Sequence, residues 1–163
     1  MNRSLQVGDQ VFHPTYGFGV LESLATRDGT GPPQAYYGVR LVEGGVLSVP
    51  VARAESLGLR RVVNGIKTIL GGLRKTARPL PDNDRQRVIE LKSRWQSAQP
   101  TAVTEGVRDL LARSRAHSLT PADKKWLANA CERLSGEAAR VDEIDLARAR
   151  TVILEEVDRL KAR

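Results

Sequence analysis

The sequence predicts an α+β protein in which a small β-barrel is followed by an all-α helical bundle. Up to residue 63, short runs rich in apolar and β-branched residues alternate with glycine-containing turns, which is typical of a small barrel. From residue 64 onward, apolar residues recur every three or four positions, which indicates amphipathic helices. The expected domains are therefore residues 1–63 and residues 64–163.

Four strands are predicted in the first domain. The runs DQVFH and GVLESL flank the turn PTYGFG, and the breaker RDGTGPP separates them from AYYGVRLV and GVLSVPV. Gly17 and Gly19 allow positive φ in the first turn. The stretch Glu43-Gly44-Gly45 between the last two runs predicts a tight hairpin. Since a unit this small has no room for a large pocket, the pattern favours a role as a binding adapter over a role in catalysis.

Five helices are predicted in the second domain. The first has Asn64 as its expected N-cap, and the fourth begins at Thr120, with Pro121 and Asp123 in its first turn. The expected apolar faces, in chain order, are Ile66/Ile69/Leu70/Leu73, Val88/Leu91/Trp95, Val103/Val107/Leu110/Leu111, Leu127/Ala130/Cys131/Leu134 and Leu146/Ile153/Val157/Leu160. This pattern predicts core packing for Trp95, while Trp126, beside an apolar position, is expected to be half-buried.

Positive charge collects in one short segment. The chain has a net charge of +7, and residues 64–100 hold eight Lys/Arg against three Asp/Glu, a net of +5. The parts on either side, residues 1–63 and 101–163, are each close to neutral. Such an excess favours a polyanionic partner, most often nucleic acid, although charge alone is equally compatible with a solvated basic face.

The sequence holds no pattern of catalytic or metal-binding residues. His13 and His117 are far apart and lack cysteines or paired carboxylates at ligand spacing. The single cysteine, Cys131, excludes an internal disulfide and lies on an apolar helix face, where packing is expected. No apolar stretch reaches the 18 residues of a membrane span, and the first ten residues lack the apolar core of a secretion signal. We therefore expect a cytoplasmic protein that is not an enzyme and uses no cofactor or metal.

A series of motifs in fixed order resembles the CarD/CdnL family of bacterial transcription regulators. These are VGDQVFHPTYGFGV, YYGVRL and VPVARAESLGLR in the first half, and EGVRDLLARSRAHSLTPADKKWLANACERLSGEAA in the second. They extend from about Val7 to Leu160. The resemblance implies a Tudor-like (SH3-like) barrel that binds the β subunit of RNA polymerase. It also implies a helical domain that contacts promoter DNA at the upstream edge of the transcription bubble.

The resemblance also assigns candidate polymerase-binding residues. Arg27 falls where the family has a polymerase-contacting arginine, and Val49 and Pro50 match the family's segment at that interface. Ser48 stands where many members have a second arginine.

The family's DNA-contacting segment differs more strongly. Asp84 occupies the position of a tryptophan that enters the minor groove in the family. A carboxylate is repelled by phosphates and cannot unstack bases, so the resemblance implies a variant member. Four nearby basic residues are expected to contact the DNA backbone, and one of them, Arg87, matches a family arginine directly: Arg85, Arg87, Lys92 and Arg94.

The expected function is therefore that of a monomeric, nucleoid-associated CarD-like regulator. It would bind the polymerase β subunit and contact promoter DNA at the backbone and minor groove without sequence specificity, to modulate open-complex formation. Two alternatives stay open. A polymerase-binding adapter without DNA contact is favoured by Asp84 and opposed by the +5 segment. A general nucleic-acid-binding protein is disfavoured by the near-neutral first domain, which has few aromatic residues to expose.

Overall fold

The computed structural model describes residues 4–163. Five antiparallel strands are followed by five α-helices, which confirms the predicted α+β fold. The chain divides into two compact units. One, the β unit, runs to Val62 and takes in Gln96–Gln99; the other, the helical unit, comprises Val63–Trp95 and Pro100–Arg163. Within the described residues, no helix is both long and apolar enough to cross a membrane.

The strands of the β unit form one sheet in the order β4-β3-β2-β1-β5. Their bounds are β1 Gln10–His13, β2 Gly17–Arg27, β3 Gln34–Leu41, β4 Val46–Pro50 and β5 Arg60–Arg61. The predicted hairpin joins β3 to β4, and Gly44 and Gly45 adopt φ values of 105° and 84°. Only β5 was not predicted, because two residues are too short to show an alternating pattern. Among the strands of residues 4–163, β4 and β5 are the sheet edges.

One face of this sheet carries the core of the β unit. Leu21 of β2 pairs with Val39 of β3, and Val49 of β4 pairs with Tyr37 of β3. Because side chains alternate along a strand, these residues share a face while the residues between them point away from it. The buried cluster consists of Val11, Leu21, Tyr37, Val39, Val49, Ala54 and Leu59.

The helical unit contains five helices. Their bounds are α1 Ile66–Leu73, α2 Asp84–Gln96, α3 Ala102–Ser114, α4 Pro121–Asp142 and α5 Leu146–Lys161. The predicted start of α4 is confirmed, because the Thr120 hydroxyl accepts from the Asp123 amide and the Asp123 carboxylate accepts from the Thr120 amide, each at 3.1 Å. This reciprocal capping box satisfies donors that the first helical turn leaves without partners.

The start of α1 is fixed by acids from α4 and not by Asn64. The predicted N-cap at Asn64 is wrong: Gly65 is the N-cap residue. Glu137 accepts the amides of residues 63 and 64 at 3.1 Å, and Asp142 accepts the Ile66 amide at 2.7 Å. Two carboxylates thus stabilise the positive end of α1. A Cβ at Gly65 would collide with the Asp142 carboxylate, which explains the glycine.

One apolar core unites all five helices. Its buried members are Ile69, Leu73, Leu80, Leu91, Val103, Val107, Leu110, Leu111, Leu127, Ala130, Cys131, Leu134, Ala138, Ala149, Ile153, Val157 and Leu160. Trp95 and Trp126 are partly buried and pack against it, as the sequence predicts. Two apolar positions were predicted wrongly, since Val88 is 44% exposed and Leu146 is 43% exposed. In α2 the buried face is turned so that Arg87 lies beside Leu91 in the interior.

Candidate functional site

The outward face of β2, β3 and β4 brings together several of the residues expected at a polymerase interface. The Arg27 guanidinium lies 5.1 Å from the centre of the Tyr36 ring, within range of a cation–π interaction. Tyr36 is the register partner of Pro50 on β4. Ser48, two residues before Pro50, is exposed and shares its side of the strand. We refer to Arg27, Tyr36, Ser48 and Pro50 as the β2–β4 surface.

Val49 does not belong to the β2–β4 surface. Its side chain is only 2% exposed and packs in the core of the β unit. A polymerase contact of Val49 would therefore involve its backbone and not its side chain. Its backbone lies on β4, an edge strand of the described sheet, and only that backbone remains available to a partner.

Sequence reasoning missed Tyr36. The run AYYGVRL contains two consecutive tyrosines, and strand alternation places them on opposite faces. Tyr37 is 7% exposed and joins the core, whereas Tyr36 points outward beneath Arg27. Strand alternation predicts that one of the two tyrosines is buried and the other exposed. Which residues lie next to the exposed tyrosine depends on the strand register, which the sequence does not show.

In the helical unit, an outer face of α2 combines basic and apolar residues. Arg85, Val88, Ile89 and Lys92 follow the spacing i, i+3, i+4 and i+7, so they lie on one side of the helix. All four are exposed; Val88 is 44% and Ile89 61% exposed. Among residues 4–163, neither Arg85 nor Lys92 forms an ion pair, so both remain available to a phosphate.

Arg87 does not fit the DNA-contacting role expected for it. It is 1% exposed, and its guanidinium is bonded to Asp123 through Nε and Nη2, at 2.9–3.2 Å. Nη1 donates to the carbonyls of Pro81 and Asp82 at 3.1 Å, and Nη2 also donates to Asp84 at 2.8 Å. Because these contacts use all the N–H donors of the guanidinium, none is left for a phosphate. Arg87 holds the fold together.

Arg94 is also engaged inside the helical unit. Its side chain is 16% exposed and pairs with Glu90 and Asp109, each at 2.7 Å. Asp109 further accepts from Arg108 at 2.8 Å and from the Arg78 amide at 2.9 Å. Burial alone would raise the pKa of Asp109, but these hydrogen bonds outweigh it and lower the pKa. Arg94 thus compensates a buried carboxylate and is a poor candidate for DNA contact.

Asp84 lies at the exposed N-terminus of α2. Its side chain is 72% exposed, and Oδ1 accepts from Arg87 at 2.8 Å. A carboxylate is favoured in this first turn because it faces the positive end of the helix dipole. In the family this position carries the tryptophan that enters the minor groove, here called the wedge tryptophan. In this chain it is an exposed aspartate that stabilises the start of α2.

The helical unit has concave regions at its surface. A groove of about 260 Å³ separates α2 from α4 and is lined by Val88, Leu91, Lys92, Trp95, Ala122, Asp123, Trp126 and Asn129. A second region, of about 620 Å³, lies beside α4 and α5 and includes Cys131. Burial raises the pKa of the Cys131 thiol to about 11, so the sulfur is protonated at neutral pH and suits packing better than nucleophilic chemistry.

Comparison with known proteins matches both units to one family. The model of the CarD-like/TRCF RID domain matches residues 5–63, and the model of the CarD C-terminal domain matches residues 68–154. The chain belongs to the CarD family. This family comprises transcription regulators, and both of its domains are present here, the CarD-like/TRCF RID domain first and the CarD C-terminal domain second.

Two individual proteins show moderate sequence similarity to this CarD family member. A Bacillus subtilis (strain 168) protein named "Putative transcription factor YdeB" is 28% identical over 137 residues, which cover 81% of this chain and 88% of the relative. The solution structure of the 72-residue N-terminal domain of Myxococcus xanthus CarD is 27% identical. That match covers 36% of this chain and 79% of the other, with a TM-score of 0.31.

Proposed function

We propose that this CarD family member regulates transcription initiation by binding the β subunit of RNA polymerase and contacting promoter DNA. The observation that carries the proposal is the presence of both family domains, over residues 5–63 and 68–154. The β unit would dock on polymerase and the helical unit would meet DNA, without an enzymatic step. A polymerase partner puts the proposed site of action in the cytoplasm, at the nucleoid.

The β2–β4 surface supports the docking step. β4 is an edge of the described sheet, and the backbone N–H and C=O groups of an edge strand can pair with a strand of a partner protein. Arg27 and Tyr36 lie on the outward face of the same sheet and offer a cation and an aromatic ring. These residue types are enriched among the strongest contributors to protein interfaces. The surface therefore suits a protein partner better than a phosphate backbone.

The outer face of α2 supports the DNA step. Arg85 and Lys92 are exposed and make no ion pair among residues 4–163, so they can neutralise phosphates. Contacts of this kind position a protein on DNA without reading base sequence. Asp84, at the start of the same helix, would weaken any approach to the minor groove. We therefore propose a weaker or different effect on the transcription bubble than a tryptophan would give.

The docking step is tested by the substitution Arg27→Glu in the full chain. Calorimetric titration with the polymerase β subunit should show a loss of about 1–3 kcal/mol, as expected for a central interface arginine. Arg53→Glu is the matched control, because Arg53 is exposed in the same unit and undergoes the same charge change. Unchanged affinity for the Arg27 variant, with the fold intact, would remove this residue from the proposed interface.

A second candidate function is that of a polymerase-bound adapter without DNA contact. It is favoured by the exposure of Val88 and Ile89, since phosphates gain nothing from apolar side chains. Titration of promoter DNA at low salt separates the two functions, because phosphate contact gives an affinity that falls steeply as salt rises. No binding at low salt would favour the adapter.

A further inference from the structure

The groove between α2 and α4 has fixed, mainly apolar walls. Trp126 donates from Nε1 to the carbonyl of Leu91 at 3.0 Å, which ties α4 to α2. Arg133 donates to the Trp95 carbonyl at 2.7 Å, and its guanidinium lies 4.7 Å from the centre of the Trp95 ring. Gly106 of α3 allows the Trp126 ring to approach, since a Cβ there would collide with it. The groove is therefore formed before any partner arrives.

The two indole rings shape the groove for side chains and not for stacked bases. The Trp95 and Trp126 rings meet edge to face, with centroids 6.5 Å apart and planes at 75°. Arg133 covers one face of Trp95. Sequence-tolerant nucleic-acid binding needs open ring faces on which bases stack, and this arrangement reduces them.

The apolar surface continues beyond the groove and is bordered by cations. Val88 belongs to the groove lining, and its neighbour Ile89 is 61% exposed on the outer face of α2. Lys92 stands on the α2 side, and helix geometry puts Lys125 beside Ala122 on the α4 side. Neither lysine forms an ion pair with any part of the chain that the structure describes.

We infer that the α2–α4 groove binds an acidic amphipathic helix of a partner protein. Its apolar side chains would enter the groove and cover Val88 and Ile89, and its carboxylates would pair with Lys92 and Lys125. The volume of about 260 Å³ lies below the roughly 300–1,000 Å³ of small-molecule pockets and suits a few side chains. The inference requires neither the polymerase contact nor the DNA contact proposed above, but it shares Lys92 with the DNA contact, so an acidic helix and DNA would compete for this residue.

Charge repulsion disfavours a second copy of this chain as the partner that binds the α2–α4 groove. A two-fold contact through the outer face of α2 would bring Arg85 and Lys92 of one copy close to the same residues of the other. The acids of α2 do not offset this, because Glu90 is paired with Arg94 and Asp84 is one carboxylate against two cations on each copy. An acidic partner removes the repulsion and gains attraction.

Intrinsic fluorescence of the full chain tests the inference, because Trp95 and Trp126 are its only two tryptophans. The probe is a synthetic helical peptide with leucine at i, i+3, i+4 and i+7 and glutamate at most other positions. A peptide with lysine in place of every glutamate and a short DNA duplex are titrated in parallel. The expected result is a saturable change in tryptophan emission with the acidic peptide and none with the basic peptide.

Two variants locate the binding site. Lys92→Glu should weaken binding of the acidic peptide about fivefold, which corresponds to the upper range of the free energy of an exposed ion pair. Ala122→Leu should abolish binding by filling the groove from an exposed position in the first turn of α4. Lys67→Glu, an equal charge change at an exposed site of α1, is the control and should leave the affinity unchanged.

Three outcomes would overturn the inference. Equal binding of the acidic and basic peptides would mean that charge plays no part. Equal effects of Lys92→Glu and Lys67→Glu would mean that the peptide responds only to net charge. Saturation by the DNA duplex, with no response to the acidic peptide, would assign this surface to nucleic acid.

Discussion

Arg87 and Asp123 form a buried ion pair that joins α2 to the first turn of α4. Arg87 is 1% exposed and Asp123 is 0% exposed, and Nη2 lies 2.9 Å from Oδ2. Burial alone would raise the pKa of Asp123, but hydrogen bonds from Arg87 and Thr120 outweigh it and lower the pKa. The same carboxylate completes the capping box of α4, so one acid links a helix cap to a neighbouring helix.

Removing the cation of this pair should destabilise the helical unit. Arg87→Ala leaves the carboxylate of Asp123 buried without its counter-charge, which typically costs about 3–5 kcal/mol. Urea unfolding followed by tryptophan fluorescence measures the loss, since both tryptophans lie in the helical unit. Arg85→Ala, an exposed change on the same helix, should alter the free energy of unfolding by no more than about 0.5 kcal/mol. Normal stability combined with lost DNA affinity in Arg87→Ala would return Arg87 to the DNA-contacting set.

The contrast between these two arginines shows how far the sequence predicts the site. The α4 cap was predictable because its signals, Thr120 and Asp123, are three residues apart. The partner of Arg87 is 36 residues away, and no local pattern reveals it. Apolar periodicity assigns Val88, and not Arg87, to the buried face of α2. An arginine whose charge is fully compensated in the interior cannot be told from a surface arginine in the sequence.

A similar limit applies in the β unit. Strand positions and the β3–β4 hairpin followed from turn residues and alternation. The neighbourhood of Arg27 and Tyr36 depends on the register of β2 with β3, which shifts between Leu21 and Ser23. The connecting loop is long, so its sequence does not set that register as a two-residue turn would. Tyr36 could therefore be identified as a candidate interface residue only from the structure.

Ser48 offers a gain-of-function test of the β2–β4 surface. Ser48→Arg should strengthen polymerase binding by about 1 kcal/mol or more, because it adds an arginine next to the Arg27–Tyr36 pair. Ser48 is exposed, so the larger side chain can extend into solvent. Titration with the polymerase β subunit provides the measurement, with Ser56→Arg as an exposed control in the same unit. Equal gains in both variants would indicate a general charge effect.

His13 should make the stability of the β unit depend on pH. It is 7% exposed, and its Nδ1 accepts from the amides of Thr15 at 3.1 Å and Tyr16 at 3.4 Å. Burial lowers the pKa of His13 below its ordinary value of 6.5, so the unfolded chain binds a proton at higher pH than the folded chain. Stability should therefore be complete above pH 6.5 and fall as the pH drops from there towards the folded pKa.

The His13 effect is measured by denaturant unfolding at a series of pH values. Tyrosine fluorescence follows the β unit, because all three tyrosines lie in it. His13→Asn keeps a side-chain acceptor but cannot be protonated, so it should flatten the pH dependence. His117→Asn changes an exposed histidine and should leave the dependence as it is. A flat profile in the parent chain would show that His13 protonation is not linked to folding.

The basic residues on the outer face of α2 should make the affinity for DNA depend on salt. Arg85→Ala combined with Lys92→Ala should weaken binding to all DNA sequences alike, because phosphate contacts carry no base information. The slope of log affinity against log salt should fall by about two, one for each lost contact. Filter binding or fluorescence anisotropy over a salt series provides the measurement. The control pair, Arg148→Ala with Arg163→Ala, removes two exposed charges outside α2 and should leave the slope unchanged.

Asp84 gives the sharpest test of whether the start of α2 meets the edge of the transcription bubble. Asp84→Trp replaces an exposed carboxylate, 72% accessible, with an apolar ring that can enter a base step. The fold should tolerate the change, because Arg87 keeps its bonds to Asp123 when its contact with Asp84 is lost. Asp84→Ala is the matched control, since it removes the repulsive charge without adding a ring.

The expected result is a longer-lived open promoter complex for Asp84→Trp, with unchanged affinity for polymerase. A gain of about 1.4 kcal/mol that acts wholly on bubble collapse would lengthen the lifetime tenfold. Decay of open complexes after addition of a competitor, on one promoter, measures it. If Asp84→Ala lengthens the lifetime as much as Asp84→Trp, relief of charge repulsion is responsible and no wedge forms. If both variants decay like the parent, position 84 does not reach the DNA, and the adapter function becomes the better account of this chain.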